Sequence, residues 1–177
     1  MGDDLSGRFV EIYEHAYRPV LAYALRRCRD PDDAADVVAE TFTIAWRRME
    51  EVPAGDEARP WLFGVARNVL ANHRRGELRH EQRTAALREH LAASPSLALL
   101  PDDGLSEISR VFGGLPEDDR ELLALVVWEE LDTAQLGQAL GLSRNAVRVR
   151  LHRARKRFAR ALAEDGDPRA ATERSAW

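Results

Sequence analysis

The chain has 177 residues, enough for one domain of ordinary size or two small ones. An apolar fraction of 45% excludes wholesale disorder, and no apolar run approaches the ~20 residues of a membrane span. The net charge of −4 offers nucleic acid no overall attraction, so what matters is where along the chain the charges lie.

The N-terminus is acidic and lacks the apolar core of a signal peptide. The single cysteine, Cys28, can form neither an internal disulfide nor a zinc site by itself, and it reads as a small half-buried helix residue. A cytoplasmic, reduced protein without membrane insertion is expected.

Strand patterns are absent, and the apolar residues recur at helical spacing. A first helix is predicted over about Gly7–Arg29, with Phe9, Ile12, Tyr13, Ala16, Val20 and Ala24 on one face and a kink or break near Arg18 caused by Pro19. The second is the best marked. Asp30 supplies an N-cap, Pro31 suits the first turn, and Asp32 and Asp33 complement the helix dipole. From Ala34 to Met49 an apolar stripe follows, including Phe42 and Trp46, while Asp33, Asp36 and Glu40 make the other face acidic. A loop with Pro53 and Gly55 leads to a third helix opened by Pro60. Its core positions are Trp61, Leu62, Val65, Val69 and Leu70. Arg67, Asn68, Asn72, Arg74 and Arg75 form a polar, basic side.

Beyond Gly76 the signal weakens: residues 77–91 allow the third helix to continue, while SPSLALLPDDG (94–104) has linker composition, and the domain boundary is placed here. Short helices are then predicted over Leu105–Phe112, Glu117–Glu129 and Asp132–Leu140, with a last helix from Ser143. The stretch TAQLGQALGLSRNAVRVRLH (133–152) has helix-turn-helix register. Gly137 allows close crossing, Gly141 tolerates a left-handed turn, and Leu136, Leu140, Leu142 and Val147 anchor the crossing. Along the last helix Val147, Leu151, Ala154, Phe158 and Leu162 point inward. Arg144, Asn145, Arg148, His152 and Arg155 then point outward, with Arg150, Arg153 and Arg157 on the flanks. From Ser143 to Arg160 there are eight cations and no acid, which is the charge a helix in a DNA major groove requires. Ser143 caps the helix and places free amides near a phosphate.

The stretches DDAADVVAETFTIAWRR (32–48) and RPWLFGVARNVLANHRR (59–75) resemble the second domain of bacterial sigma factors of the extracytoplasmic-function group. LPEDDRELLAL (115–125), the helix-turn-helix and LHRAR (151–155) resemble that group's fourth domain. The resemblance implies an all-α chain of two small helical domains: residues 1–76, a linker over 77–104, the helix-turn-helix domain over 105–163, and a polar tail over 164–177 that ends in Trp177. It implies a non-catalytic subunit that binds core RNA polymerase, through the β′ clamp helices and the β subunit, and directs it to promoter DNA. Asp36, Glu40, Phe42 and Trp46 are assigned to the polymerase contact, although packing alone accounts for Phe42 and Trp46. Trp61, Arg67, Asn68, Asn72, Arg74 and Arg75 fall to the −10 element, with Asn68 as base reader and Trp61 also on the core face. Ser143, Arg144, Asn145, Arg148, Val149, His152 and Arg153 fall to the −35 element. Val149 stands where the group often has a small polar residue, and a thymine methyl is a suitable contact for it. An anti-sigma factor is a further partner expected from the group.

The alternative is a helix-turn-helix regulator whose residues 1–76 dimerise or sense a ligand, binding duplex DNA without polymerase. A sensor needs no second basic face, which argues against it. An enzyme is disfavoured too. His73, Glu77 and His80 have helical spacing that suits a metal, but the further carboxylates such a site needs do not stand out. No phosphate-cradling glycine loop or Ser–His–Asp pattern is in register, so neither cofactor nor metal is expected.

Overall fold

The computed structural model describes residues 2–85 and 106–165. All regular structure among them is helical: α1 (Gly2–Leu25), α2 (Pro31–Arg47), a 3-10 turn (Gly55–Glu57), α3 (Ala58–Ala85), α4 (Ser106–Gly113), α5 (Glu117–Val127), α6 (Thr133–Leu140) and α7 (Arg144–Asp165). Two compact units result, with α1–α3 in the first and α4, α5, the start of α6 and α7 in the second. Residues 86–104 of the expected linker and 166–177 of the expected tail, including Trp177, lie outside the described residues.

In the first unit three helices pack mutually. Val20, Tyr23 and Ala24 of α1, Val37, Val38 and Ala45 of α2, and Leu62, Phe63 and Ala66 of α3 are all buried. The Tyr23 and Phe63 rings stand 5.2 Å apart at the centre. Each of the valine, leucine and phenylalanine side chains contributes about 1.5–3 kcal/mol when fully removed from water. α1 runs unbroken through Pro19, so of the expected kink or break the break does not occur. Proline removes one intrahelical hydrogen bond, but Ala16, Val20 and Tyr23 bury on either side of it and hold the helix together.

The cap on α2 is the one its sequence predicts. Asp30 Oδ1 accepts from the amides of Asp32 at 2.8 Å and Asp33 at 2.9 Å. α3 begins two residues before the expected Pro60, at Ala58, and continues to Ala85, so the first nine residues of the expected 77–104 linker are helical.

In the second unit α7 packs on α4 and α5. Phe112 meets Trp128 and Phe158 edge-on, at 5.6 and 6.1 Å, and Leu122, Leu125 and Ala154 are buried beside them. α6 opens on a reciprocal cap. Asp132 Oδ1 accepts from the Ala134 and Gln135 amides at 2.7 and 2.9 Å, and Gln135 Oε1 accepts from the Asp132 amide at 3.0 Å. The turn into α7 uses Gly141 at φ 65°. There the Leu142 amide returns to the Gly137 carbonyl at 2.8 Å, which aims α7 away from α6.

Candidate nucleic-acid interface

On α7 the spacing that buries one stripe exposes the opposite one. Val147 and Ala154 are fully buried, with Leu151 and Phe158 half-buried in the same row. Asn145, Val149, His152 and Lys156 repeat at the same intervals on the far side and are exposed. Arg144 and Arg148 border this row on one edge and Arg153 on the other, all exposed. Val149, 42% exposed, therefore sits mid-row, an apolar contact at the centre of a polar surface.

Ion pairs divide the cations of α7 into two classes. Arg157 reaches back to the buried Asp119 at 2.9 Å, and Arg160 is held by Glu164 at 2.6 Å, a contact that raises its already high pKa. Arg144, Arg148, Arg153 and Arg155 enter no ion pair among the described residues. The unpaired charges lie toward the helix N-terminus, where Ser143 Oγ accepts the Ala146 amide at 3.2 Å. An anion approaching there meets free guanidinium groups and helix amides together.

In the first unit the polar side chains of α3 sort onto two faces. Trp61, Asn68, Asn72 and Arg75 repeat at intervals of seven, four and three and share one stripe. Arg67 and Arg74 share another. Asn68 and Asn72 are exposed, and Arg75 Nη1 donates to Asn72 Oδ1 at 3.4 Å. Trp61 is half-buried at the head of the stripe, with the Arg48 guanidinium 5.8 Å from its ring centre, so its ring is only partly in the core. A row of amides below a part-exposed indole offers base edges hydrogen bonds and base faces a stacking surface.

On α2, Asp36 and Glu40 are exposed as their acidic face predicts. Phe42 is buried and serves the core, meeting Tyr13 at 4.8 Å. Trp46 is 48% exposed, so packing does not fully account for it. It lies edge-on to Phe9 at 5.1 Å and presents the rest of its indole outward. Glu40 Oε2 stands 3.0 Å from His73 Nε2, tying the acidic face of α2 to α3.

His73 thus has a protein partner. The side chains of Glu77 and His80, whose helical spacing with His73 suits a metal, lie outside the described residues, and no cluster of metal-ligating side chains occurs among those described. Sequence reasoning missed Arg8. Its guanidinium reaches from α1 to the carbonyls of Met49 and Val52, and no local pattern marks a surface arginine that turns inward.

Residues 12–80 match the Sigma-70 region 2 family and residues 105–158 the Sigma-70 region 4 family. The chain is 33% identical over 179 residues to the ECF RNA polymerase sigma factor ShbA of Streptomyces griseus, covering 89% of this chain and 92% of ShbA. It is 34% identical over 142 residues to the probable RNA polymerase sigma factor RfaY of Xanthomonas campestris, spanning 77% of this chain but only 36% of RfaY. In fold it is similar to the sigma factor RpoE of Bartonella quintana, solved in complex with the anti-sigma factor NepR. The TM-score is 0.64 at 22% identity, covering 88% of this chain and 96% of RpoE.

Proposed function

The chain belongs to the extracytoplasmic-function RNA polymerase sigma factors, and from that membership we propose that it divides promoter recognition between its two units. The first unit takes core polymerase and the −10 element. Asp36 and Glu40, with the exposed edge of Trp46, dock on the β′ clamp helices. The α3 stripe of Trp61, Asn68, Asn72 and Arg75 captures an unstacked −10 base, while Arg67 and Arg74 neutralise phosphate. The second unit contacts the β subunit and reads the −35 element. Asn145, Arg148, Val149, His152 and Arg153 face base edges, and Ser143 and Arg144 hold phosphate.

The carrying observation is the sorting of charge on α7. Cations of the last turns pair within the unit, and those of the first turns stay unpaired beside an exposed stripe. The chain is then a non-catalytic cytoplasmic subunit, and phosphodiester chemistry belongs to core polymerase. Among the described residues no helix is long and apolar enough to cross a membrane. An anti-sigma factor, the class of protein with which RpoE was solved, completes the set of partners.

Fluorescence anisotropy on a labelled duplex promoter tests this reading. Sequence-selective binding is expected only when core polymerase is added. Equal selectivity with the chain alone would instead make it a helix-turn-helix regulator.

A further inference from the structure

Arg8 lies early in α1, far in sequence from every residue assigned to DNA or polymerase. Its guanidinium is half-buried and crosses to the segment that leaves α2. Nη1 donates to the Met49 carbonyl at 3.3 Å, and Nη2 donates to the Val52 carbonyl. These partners are 41 and 44 residues away along the chain. A guanidinium fork suits this contact because its donors are fixed in one plane, whereas a lysine ammonium is a compact point donor.

The same segment is fixed by its side chains. Met49 and Val52 are buried, at 5% and 2% exposure. Arg48 Nε donates to Glu51 Oε1 at 2.9 Å across the turn, and the Arg48 guanidinium stands beside Trp61. Residues 49–52 are thus a pinned platform. Beyond it Ala54–Glu57 are exposed, with Gly55 at φ 60° turning the chain into α3. The exposed tip and Trp61 are therefore both placed by one platform.

We propose that Arg8 is a positioning residue for capture of the −10 base. This inference rests on the reading of the α3 stripe headed by Trp61 as the −10 reader. By holding two carbonyls of the platform, Arg8 fixes the loop tip and the Trp61 face before DNA arrives. The ordering cost is then met on folding and not subtracted from base capture. Arg8 itself touches no base.

The test is transcription by the reconstituted holoenzyme, using the full chain. The ratio of transcript from a promoter with its preferred −10 element to transcript from single-base variants of that element gives the discrimination. Affinity for core polymerase and dependence on the −35 element are measured alongside. Arg8→Ala is expected to lower −10 discrimination about tenfold, equivalent to ~1.4 kcal/mol, with core affinity and −35 dependence unchanged. Arg8→Lys, which keeps the charge and the aliphatic stem, is expected to fall between the two. If Arg8→Ala unfolds the first unit, Arg8→Lys alone decides the matter. Wild-type discrimination in the folded variant, with discrimination lost in Asn68→Ala, overturns the role of Arg8 and leaves the −10 reading intact. Wild-type discrimination in Asn68→Ala overturns the −10 reading, and the role of Arg8 falls with it.

Discussion

Replacing Gly137 by alanine tests whether a backbone approach sets the direction of α7. A Cβ added at Gly137 would lie 2.7 Å from the Leu142 carbonyl oxygen. Carbon–oxygen contacts settle at ~3.3–3.6 Å, so the two backbones must part by roughly 0.6 Å or more. The Leu142 backbone is held close on its other side, because the Leu142 amide is bonded to the Gly137 carbonyl at 2.8 Å. On the other side Val147 Cγ2 stands 4.0 Å from the added carbon, and Val147 is completely buried. The methyl group therefore has to open the turn, at the usual overpacking cost of about 1–3 kcal/mol.

At about 2 kcal/mol the opening equilibrium of the helix-turn-helix rises roughly thirtyfold. Hydrogen exchange of the α7 amides in the full chain reads this directly, as an equal loss of protection. Gly141→Ala is the control. Its φ of 65° is unfavourable for alanine, but its added Cβ meets nothing within 4 Å. The left-handed conformation alone costs about 1 kcal/mol, a roughly fivefold loss of protection. Wild-type exchange in Gly137→Ala, or a larger effect from Gly141→Ala, would refute the argument from close approach.

Arg148→Ala is expected to cost about 1–3 kcal/mol of −35 recognition, read as the affinity difference between matched and mismatched −35 duplexes in the holoenzyme. Arg157→Ala, which breaks the pair with Asp119, should leave that difference unchanged while lowering the thermal stability of the second unit. Tyr23→Ala removes a fully buried ring packed on Phe63 and should cost about 3–5 kcal/mol in chemical unfolding of the first unit. The hydrogen bond from Arg48 holds the Glu51 carboxyl below the usual carboxylate range, so the contribution of that pair is complete above the unfolded-state pKa and disappears as pH falls through the lowered folded-state value. A carbon-detected NMR titration should show Glu51 protonating below an unpaired glutamate, and Arg48→Gln should return it to the ordinary range.

Local chemistry made much of this fold legible. The cap and first turn of α2 are written in Asp30–Asp33, and Gly137 and Gly141 stand where the helix-turn-helix geometry requires them. On α7 the alternation of buried and exposed rows follows from spacing alone. The core of the first unit was less legible, because α1 and α3 each bury residues against two neighbours. Tyr23, Phe63 and Ala66 lie off the single stripes expected of those helices and are buried all the same. Pro19 leaves α1 unbroken for a related reason: its local cost is outweighed by packing that only the assembled unit supplies. Trp46 fits the apolar spacing of α2, yet half of it is exposed, since its ring meets Phe9 of α1 only edge-on. Arg8 left no trace at all. Its partners are backbone carbonyls, which carry no side-chain signature in any sequence.

The central claim is tested most directly by run-off transcription on a pool of promoters from the source genome, with purified bacterial core polymerase and wild type, Asp36→Arg or Arg148→Ala. The account predicts promoter-specific transcripts that require the added chain. Asp36→Arg should abolish them, and Arg148→Ala should remove those that depend on their −35 element. Transcripts unchanged by Asp36→Arg would contradict the polymerase contact, and an absence of any transcript that depends on the chain would contradict the account as a whole.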